Sequence, residues 1–275
     1  MGKDVSADAG KTPQPQMQAQ PQVEAQQKLS REFTVQLPSR GVLYEGKLPE
    51  GKIVLRPLTT AEESILYSPS GDGVTKISNI INSCIVSKDL PPEDLLLIDR
   101  FFILIDLRTR SFGPFYDVPL KCQFCDAQTK SRLDIREELE VKYMEDGLEE
   151  PFDVKLPICG DTLQFRLLRG KDELSIARYS KRIRMQSVDV GDPSYQYRLA
   201  TQIVGVNGKE LERLGKEQYV KRLDMGDTNA FRLEVEKVEG GVDTTILLDC
   251  RNCGATNQME MPFTIEFFRP GSIKS

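Results

Sequence analysis

Two short stretches, Lys121-Cys122-Gln123-Phe124-Cys125 and Asp249-Cys250-Arg251-Asn252-Cys253-Gly254, decide how this chain is read. Each holds a C-x-x-C pair, and thiolates at i and i+3 can aim at one ion from a tight turn. Two such turns complete the tetrahedron that Zn²⁺ accepts, with sulfur at about 2.3 Å. Gly254 supplies a residue free to take positive φ just past the second pair. Lys121 and Arg251, beside the sulfurs, are expected to offset part of the charge of a Cys₄ centre. Four thiolates leave no open coordination position, so such a site is structural and not catalytic. A four-Cys iron–sulfur cluster uses the same ligand set, and redox C-x-x-C motifs or disulfides are further readings. Neither pair lies between a strand and a long helix, which argues against a thioredoxin-like motif. Cys84 and Cys159, the other two of six cysteines, have no spaced partner. Both are expected to be metal-free and not bonded to each other, Cys84 as a small buried hydrophobe on a helix face.

Working outward, each pair is flanked by strand-like segments. Tyr116–Leu120 precedes the first and Thr129–Ile135 follows it; Ile246–Leu248 precedes the second and Met259–Phe263 follows. Residues 126–249, 124 in all, separate the pairs, far more than an ordinary zinc ribbon contains. The economical interpretation is a ribbon split by an inserted domain. The expected class is α+β, in four parts: a disordered Gln/Pro-rich arm over 1–32, an α+β N-terminal domain over 33–120, a split zinc ribbon of short β hairpins over 121–136 and 244–270, and an inserted, mainly helical domain with a β hairpin over 137–243.

Within the N-terminal part, alternating Phe33, Val35 and Leu37 predict a short strand, and Ile53–Pro57 a second. Thr59-Thr60-Ala61-Glu62 fits a capping box opening a helix to about Tyr67. Gly71-Asp72-Gly73 is a turn before a helix over 75–85. Pro91 and Pro92 suit a first helical turn and predict one long helix to about Arg110, with a stripe of Leu95, Ile98, Phe102 and Ile105 widened by Leu97, Phe101 and Leu104. In the insert, Phe152–Leu156 and Leu163–Leu168 flank Gly160-Asp161 as a hairpin. Helical patterns follow at 171–186, 194–204, 215–224 and 227–238, the last with Asp227 as N-cap. Thr244–Leu248 returns as a strand.

Composition narrows function. There are 37 Lys+Arg against 42 Asp+Glu, a net charge of −5, and neither His nor Trp. Without His, Ser-His-Asp and Cys-His triads and His-bearing zinc proteases are excluded. No phosphate loop or G-x-G-x-x-G follows a strand, so no catalytic residues are assigned and the protein is not expected to be an enzyme. The acidic balance argues against non-specific DNA binding. No secretory leader is expected, and Leu95–Leu107 is too short and too charged for a membrane span. The basic cluster Arg178, Lys181, Arg182 and Arg184 and the acidic stretch from Asp134 to Glu150 are read as solvated faces.

Several landmarks together carry a resemblance. Leu37-Pro38-Ser39-Arg40-Gly41 with Tyr44, Arg56-Pro57-Leu58-Thr59-Thr60 with Glu62-Glu63, the Asp106, Arg108 and Tyr116 set, and Met261-Pro262-Phe263 through Phe267-Phe268-Arg269-Pro270 resemble the baseplate hub proteins of T-even-type contractile-tailed phages, in their larger, cysteine-paired members. The resemblance covers about 33–125 and 245–270. It implies a non-catalytic structural or assembly protein of the virion tail baseplate, made in the host cytoplasm. Its partners would be other baseplate, tail-tube and spike proteins, with several copies in a symmetric assembly. Two alternatives are a zinc-ribbon module binding nucleic acid, which needs a basic face at the knuckles, and a C-x-x-C thiol oxidoreductase, which needs a reactive thiolate and no metal.

Overall fold

Eight helices and several small antiparallel sheets are strung along the described residues, which are 1–2, 32–186, 191–263 and 265–268 of a computed structural model. The expected Gln/Pro arm falls, but for its ends, on residues 3–31 and so lies outside them. The architecture is the α+β mixture expected from the sequence.

Strands β1 (Phe33–Gln36) and β2 (Lys52–Leu55) pair antiparallel, Phe33 opposite Leu55. The chain between them turns tightly. Gly41 (φ +84°) and Gly51 (φ +64°) face each other so closely that a Cβ on Gly51 would lie 2.2 Å from the carbonyl carbon of Arg40; no larger residue fits there. β2 stops before Pro57, which has no N–H to extend the ladder.

Helix α1 (Thr60–Tyr67) starts with the expected capping box. Thr59 N–H donates to Glu62 Oε2 at 2.8 Å, and Thr59 Oγ1 accepts from Ala61 N–H at 3.3 Å. Glu62 also takes Arg56 Nη2 at 2.7 Å and the Ser83 hydroxyl at 2.9 Å, from α2 (Gly73–Cys84). It is 2% exposed. Burial pushes its carboxyl up, but the bonds from Arg56, Thr59 and Ser83 outweigh that and hold it at about 2, below the usual 4.5. A depressed carboxyl stabilises the fold above pH 4.5 and loses that contribution as pH falls toward 2. A shift of this size corresponds to about 3 kcal/mol. Urea unfolding should therefore show a stability decline between pH 4.5 and 2 that is blunted in Glu62→Gln, with the variant weaker at neutral pH; an identical acid slope in both proteins would refute the assignment.

The long helix departs from its expected start. Pro92–Asp94 form a single 3₁₀ turn, Leu95 and Leu96 are extended, and α3 runs Leu97–Phe112. The cause is tertiary pairing. Leu97 N–H donates to Leu168 O and Gly170 N–H to Leu95 O, both at 2.9 Å, while Leu96 N–H donates to the Tyr44 hydroxyl at 2.7 Å. Those backbone groups are thus unavailable to a helix. Of the expected stripe, Leu95, Leu104 and Ile105 are buried and Ile98, Phe101 and Phe102 pack partly buried against the core; Ile103, Leu107, Asp99, Arg100 and Arg108 are buried as well. The helix is enclosed on most of its circumference, as its apolar content suggested. Asp99 accepts from Ser39 N–H at 3.0 Å and from Tyr44 Oη at 2.6 Å. Burial raises its carboxyl.

After α3 come β3 (Phe115–Lys121), β4 (Gln128–Asp134), the short α4 (Ile135–Glu138) and β5 (Val141–Lys142). The hairpin β6 (Phe152–Lys155) and β7 (Thr162–Phe165) forms as expected. It grows into a four-stranded sheet, β6-β7-β8-β9, by adding β8 (Ile203–Val206) and β9 (Lys209–Glu210). The helices are α5 (Gly170–Gln186), α6 (Pro193–Gln202), α7 (Arg213–Val220) and α8 (Met225–Val238). α6 ends earlier than expected because Ile203 joins β7, opposite Phe165. Asp227 does not cap α8; Asp224 stands at that position, and the buried Asp227 carboxylate accepts from Ile158 and Cys159 N–H at 2.7 and 3.0 Å, fixing the β6–β7 turn. β10 (Gly241–Val242) pairs with β5, and β11 (Thr245–Asp249) with β12 (Thr256–Glu260). One continuous apolar core includes Leu55, Ile103 and Val118 together with Leu163, Phe165 and Phe231.

Candidate metal centre

The two C-x-x-C pairs sit in the turns of two hairpins, β3–β4 and β11–β12. The turns are built alike. In the first, Cys122 N–H donates to Ala127 O (3.0 Å) and Asp126 N–H to Cys122 O (3.1 Å). In the second, Cys250 N–H donates to Ala255 O (2.9 Å) and Gly254 N–H to Cys250 O (2.8 Å). The residue after each second cysteine has positive φ, +56° at Asp126 and +73° at Gly254. The glycine expected to permit that geometry does so in the second turn; aspartate tolerates it in the first.

The turns face each other. Sγ of Cys122 lies 3.7 Å from that of Cys253, and Sγ of Cys125 lies 3.7 Å from that of Cys250. All four sulfurs lie within 4.8 Å of one another. A tetrahedron with sulfur about 2.3 Å from its centre has edges of about 3.8 Å. The donor set and its spacing therefore fit a single four-coordinate ion and leave no ligand position free. Cys122 and Cys250 are buried, while Cys253 is exposed at the rim.

Hydrogen-bond donors surround the sulfurs. Phe124 N–H (3.4 Å) and Asn257 Nδ2 (3.7 Å) reach Cys122 Sγ, and Asn252 Nδ2 reaches Cys125 Sγ at 3.5 Å. Burial pushes the Cys122 thiol up, yet donors including the Phe124 and Cys125 N–H groups hold it at about 6. Cys125 is lowered, first by Asn252. Ala255 N–H lowers Cys253, but its neighbouring sulfurs, Cys125 first, push it up to about 12. Four sulfurs this close oppose each other's ionisation, and a cation between them removes that opposition. Lys121 ends a strand whose odd positions face solvent, is 70% exposed, and among the described residues has its ion pair with Asp126 at 3.8 Å.

Asn257 had no signal in the sequence. It is 1% exposed, and its Oδ1 accepts from Gln123 N–H at 2.9 Å while its Nδ2 donates to Ala255 O at 2.9 Å. It stitches one hairpin to the turn of the other. Cys84 is buried against the core, and Cys159 lies in the β6–β7 turn; both are free thiols outside the four-sulfur group.

Three of the resemblance landmarks, Arg108, Tyr116 and Phe267, pack together on the core. Arg108 Nε donates to Phe267 O at 3.1 Å, Nη2 to Phe115 O at 2.8 Å, and Nη1 to Gly113 O. Its guanidinium lies over the Tyr116 and Phe267 rings, 5.5 and 5.2 Å from their centroids. The chain after the second hairpin is thereby held against α3.

No curated protein and no solved structure matches the chain. A family profile described as "T4 bacteriophage base plate protein" matches residues 40–269. The matched span takes in both cysteine pairs and the whole of 137–243, so the segment between the hairpins lies within the family's extent. The chain belongs to the T4-type phage baseplate protein family.

Proposed function

We propose that the protein is a structural and assembly component of the hub of a contractile-tail baseplate, joining tail-tube and spike neighbours, and that a Zn²⁺ ion held by Cys122, Cys125, Cys250 and Cys253 locks its two hairpins together. The family match over 40–269 carries the baseplate reading. The 3.7 Å sulfur edges support one small tetrahedral ion, since a multi-iron cluster spreads its cysteines over several metals and needs wider spacing. No charge-driven chemistry is asked of the site; its role is to fix the relation of α3, the hairpins and the segment ending at Phe268. Fractionation of purified particles tests the functional reading. The protein should be found by mass spectrometry in isolated tails and not in capsids, and particles made without it should have incomplete baseplates. Its detection in capsids alone, or normal infectious tails in its absence, would overturn the proposal.

A further inference from the structure

Among the described residues, the outward face of α5 is left exposed. Arg178, Lys181, Arg182 and Met185 recur at helical spacing and form one exposed stripe, with Met185 76% exposed. From Leu174 to Gln186 there are four basic residues and no acidic one. Among the described residues, none of Arg178, Lys181 and Arg182 makes an ion pair, and only a loose 3.5 Å contact joins Arg184 to Asp192. Arg182 is braced over the Tyr179 ring, itself stacked on Tyr197 with centroids 4.0 Å apart. Such bracing presents the guanidinium at low entropic cost on binding.

A second surface of the chain is its complement. The segment around α4 and β5 exposes Glu137, Glu138, Glu140, Glu145 and Glu149, none in an ion pair among the described residues. The other three acids of the stretch are already used, Asp134 by Arg136, Asp146 by Arg40 and Glu150 by Arg169. Tyr143, 46% exposed, stands among them. Each surface thus offers exposed charges predominantly of one sign around one exposed apolar side chain, with Lys181 near Asp72 on the first and Lys142 turned to the Glu236 carbonyl on the second, the composition of an interface with a charged rim and an anchor.

We propose that these two surfaces meet between copies of this chain, the α5 stripe of one seated on the 137–149 segment of the next. The contact is heterologous, using a different patch on each partner, so it repeats around a ring or along a line until geometry closes it. Nucleic acid is the less suitable occupant of the stripe. It would leave the acidic segment unmatched and would approach a chain of net charge −5. The proposal rests on the baseplate reading only for where the contact is used; the association itself belongs to the isolated protein.

Sedimentation velocity of the purified full-length chain tests it. Wild type should associate at about 0.1 M salt and weaken at least tenfold at about 1 M, where the screening length falls to about 3 Å. R178E/K181E/R182E alone and E137K/E140K/E145K alone should each stay monomeric with unchanged circular dichroism. Mixed in equal amounts, they present complementary surfaces again and should co-assemble. Monomeric wild type at low salt, or folded variants that fail to associate on mixing, would overturn the proposal. So would an oligonucleotide that binds wild type but not R178E/K181E/R182E while self-association is unaffected. If a triple variant misfolds, the R182E and E140K pair is read in the same mixing experiment.

Discussion

Cys250→Ser is expected to release the zinc proposed for this site and to unfold the region around both hairpins. Serine leaves three thiolates and an alcohol that does not ionise near neutral pH, so the tetrahedron is incomplete. The binding free energy of a structural thiolate–zinc site is on the order of 10 kcal/mol, comparable with the entire stability of an ordinary domain. Elsewhere the hairpins are tied to the molecule by Val118, Leu120, Ile246 and Leu248, all buried. Apart from those contacts, the Asn257 bond to the first turn and the Arg108 bond to Phe115, little holds two separate two-stranded sheets, and isolated hairpins are marginal. Wild type should carry one zinc per chain by elemental analysis, and strong chelators should reproduce the variant's loss of melting temperature. Chelated, metal-free wild type that melts like the untreated protein would refute the clasp.

The second large effect is at Arg108. Its side chain is 1% exposed, and three backbone carbonyls converge on it. Truncation to Ala strands the Phe267, Phe115 and Gly113 carbonyls, each at about 1–3 kcal/mol if it stays dry, and opens a cavity beside the Tyr116 and Phe267 rings. Relief of the buried charge, which burial already disfavours, offsets part of the loss. A net destabilisation of about 4 kcal/mol is expected. Lys keeps the charge but cannot fork to separate carbonyls, so Arg108→Lys should fall between wild type and Ala. Proteolysis distinguishes local from general damage: cleavage near Phe263–Phe268 should accelerate before the rest of the chain opens. Equal protection of that segment in wild type and Arg108→Ala would contradict the anchoring role.

Local rules in the sequence reached the elements whose causes are local. The capping box at Thr59 and Glu62, the hairpin around Gly160 and the alternation of β3 depend on residues a few positions apart. The four cysteines were legible for another reason: thiolate chemistry makes their spacing informative even across 124 residues. What escaped depended on partners far away in the chain. Leu95 and Leu96 look helical until Leu168 and Gly170 claim the adjoining backbone. Asp227 fits a cap by sequence, yet the buried N–H groups of Ile158 and Cys159 use its carboxylate instead. β12 begins at Thr256, earlier than Met259, because the Gly254 turn sets where the hairpin closes. Asn257 is an ordinary polar residue on a strand until the fold sets it beside a sulfur. Several of the landmarks behind the family resemblance are fixtures of the fold: Ser39 and Tyr44 meet Asp99, Arg56 meets the buried Glu62, and Arg108 meets Phe267.

The distance between the two cysteine turns also sets a schedule for the chain as it is made. Loop-closure entropy rises so slowly that spanning 124 residues instead of about 15 adds only about 2 kcal/mol, so the finished clasp loses little by its length. Time is affected more. A ribosome adding about 5–20 residues per second leaves roughly 6–25 s between the emergence of Cys125 and that of Cys250. Throughout that interval the first turn is a bare dithiol, with two of the four donors an ion needs. With the proposed metal as the closing element, oxidants and competing metals would meet the first pair during translation, before the second hairpin arrives to complete the set.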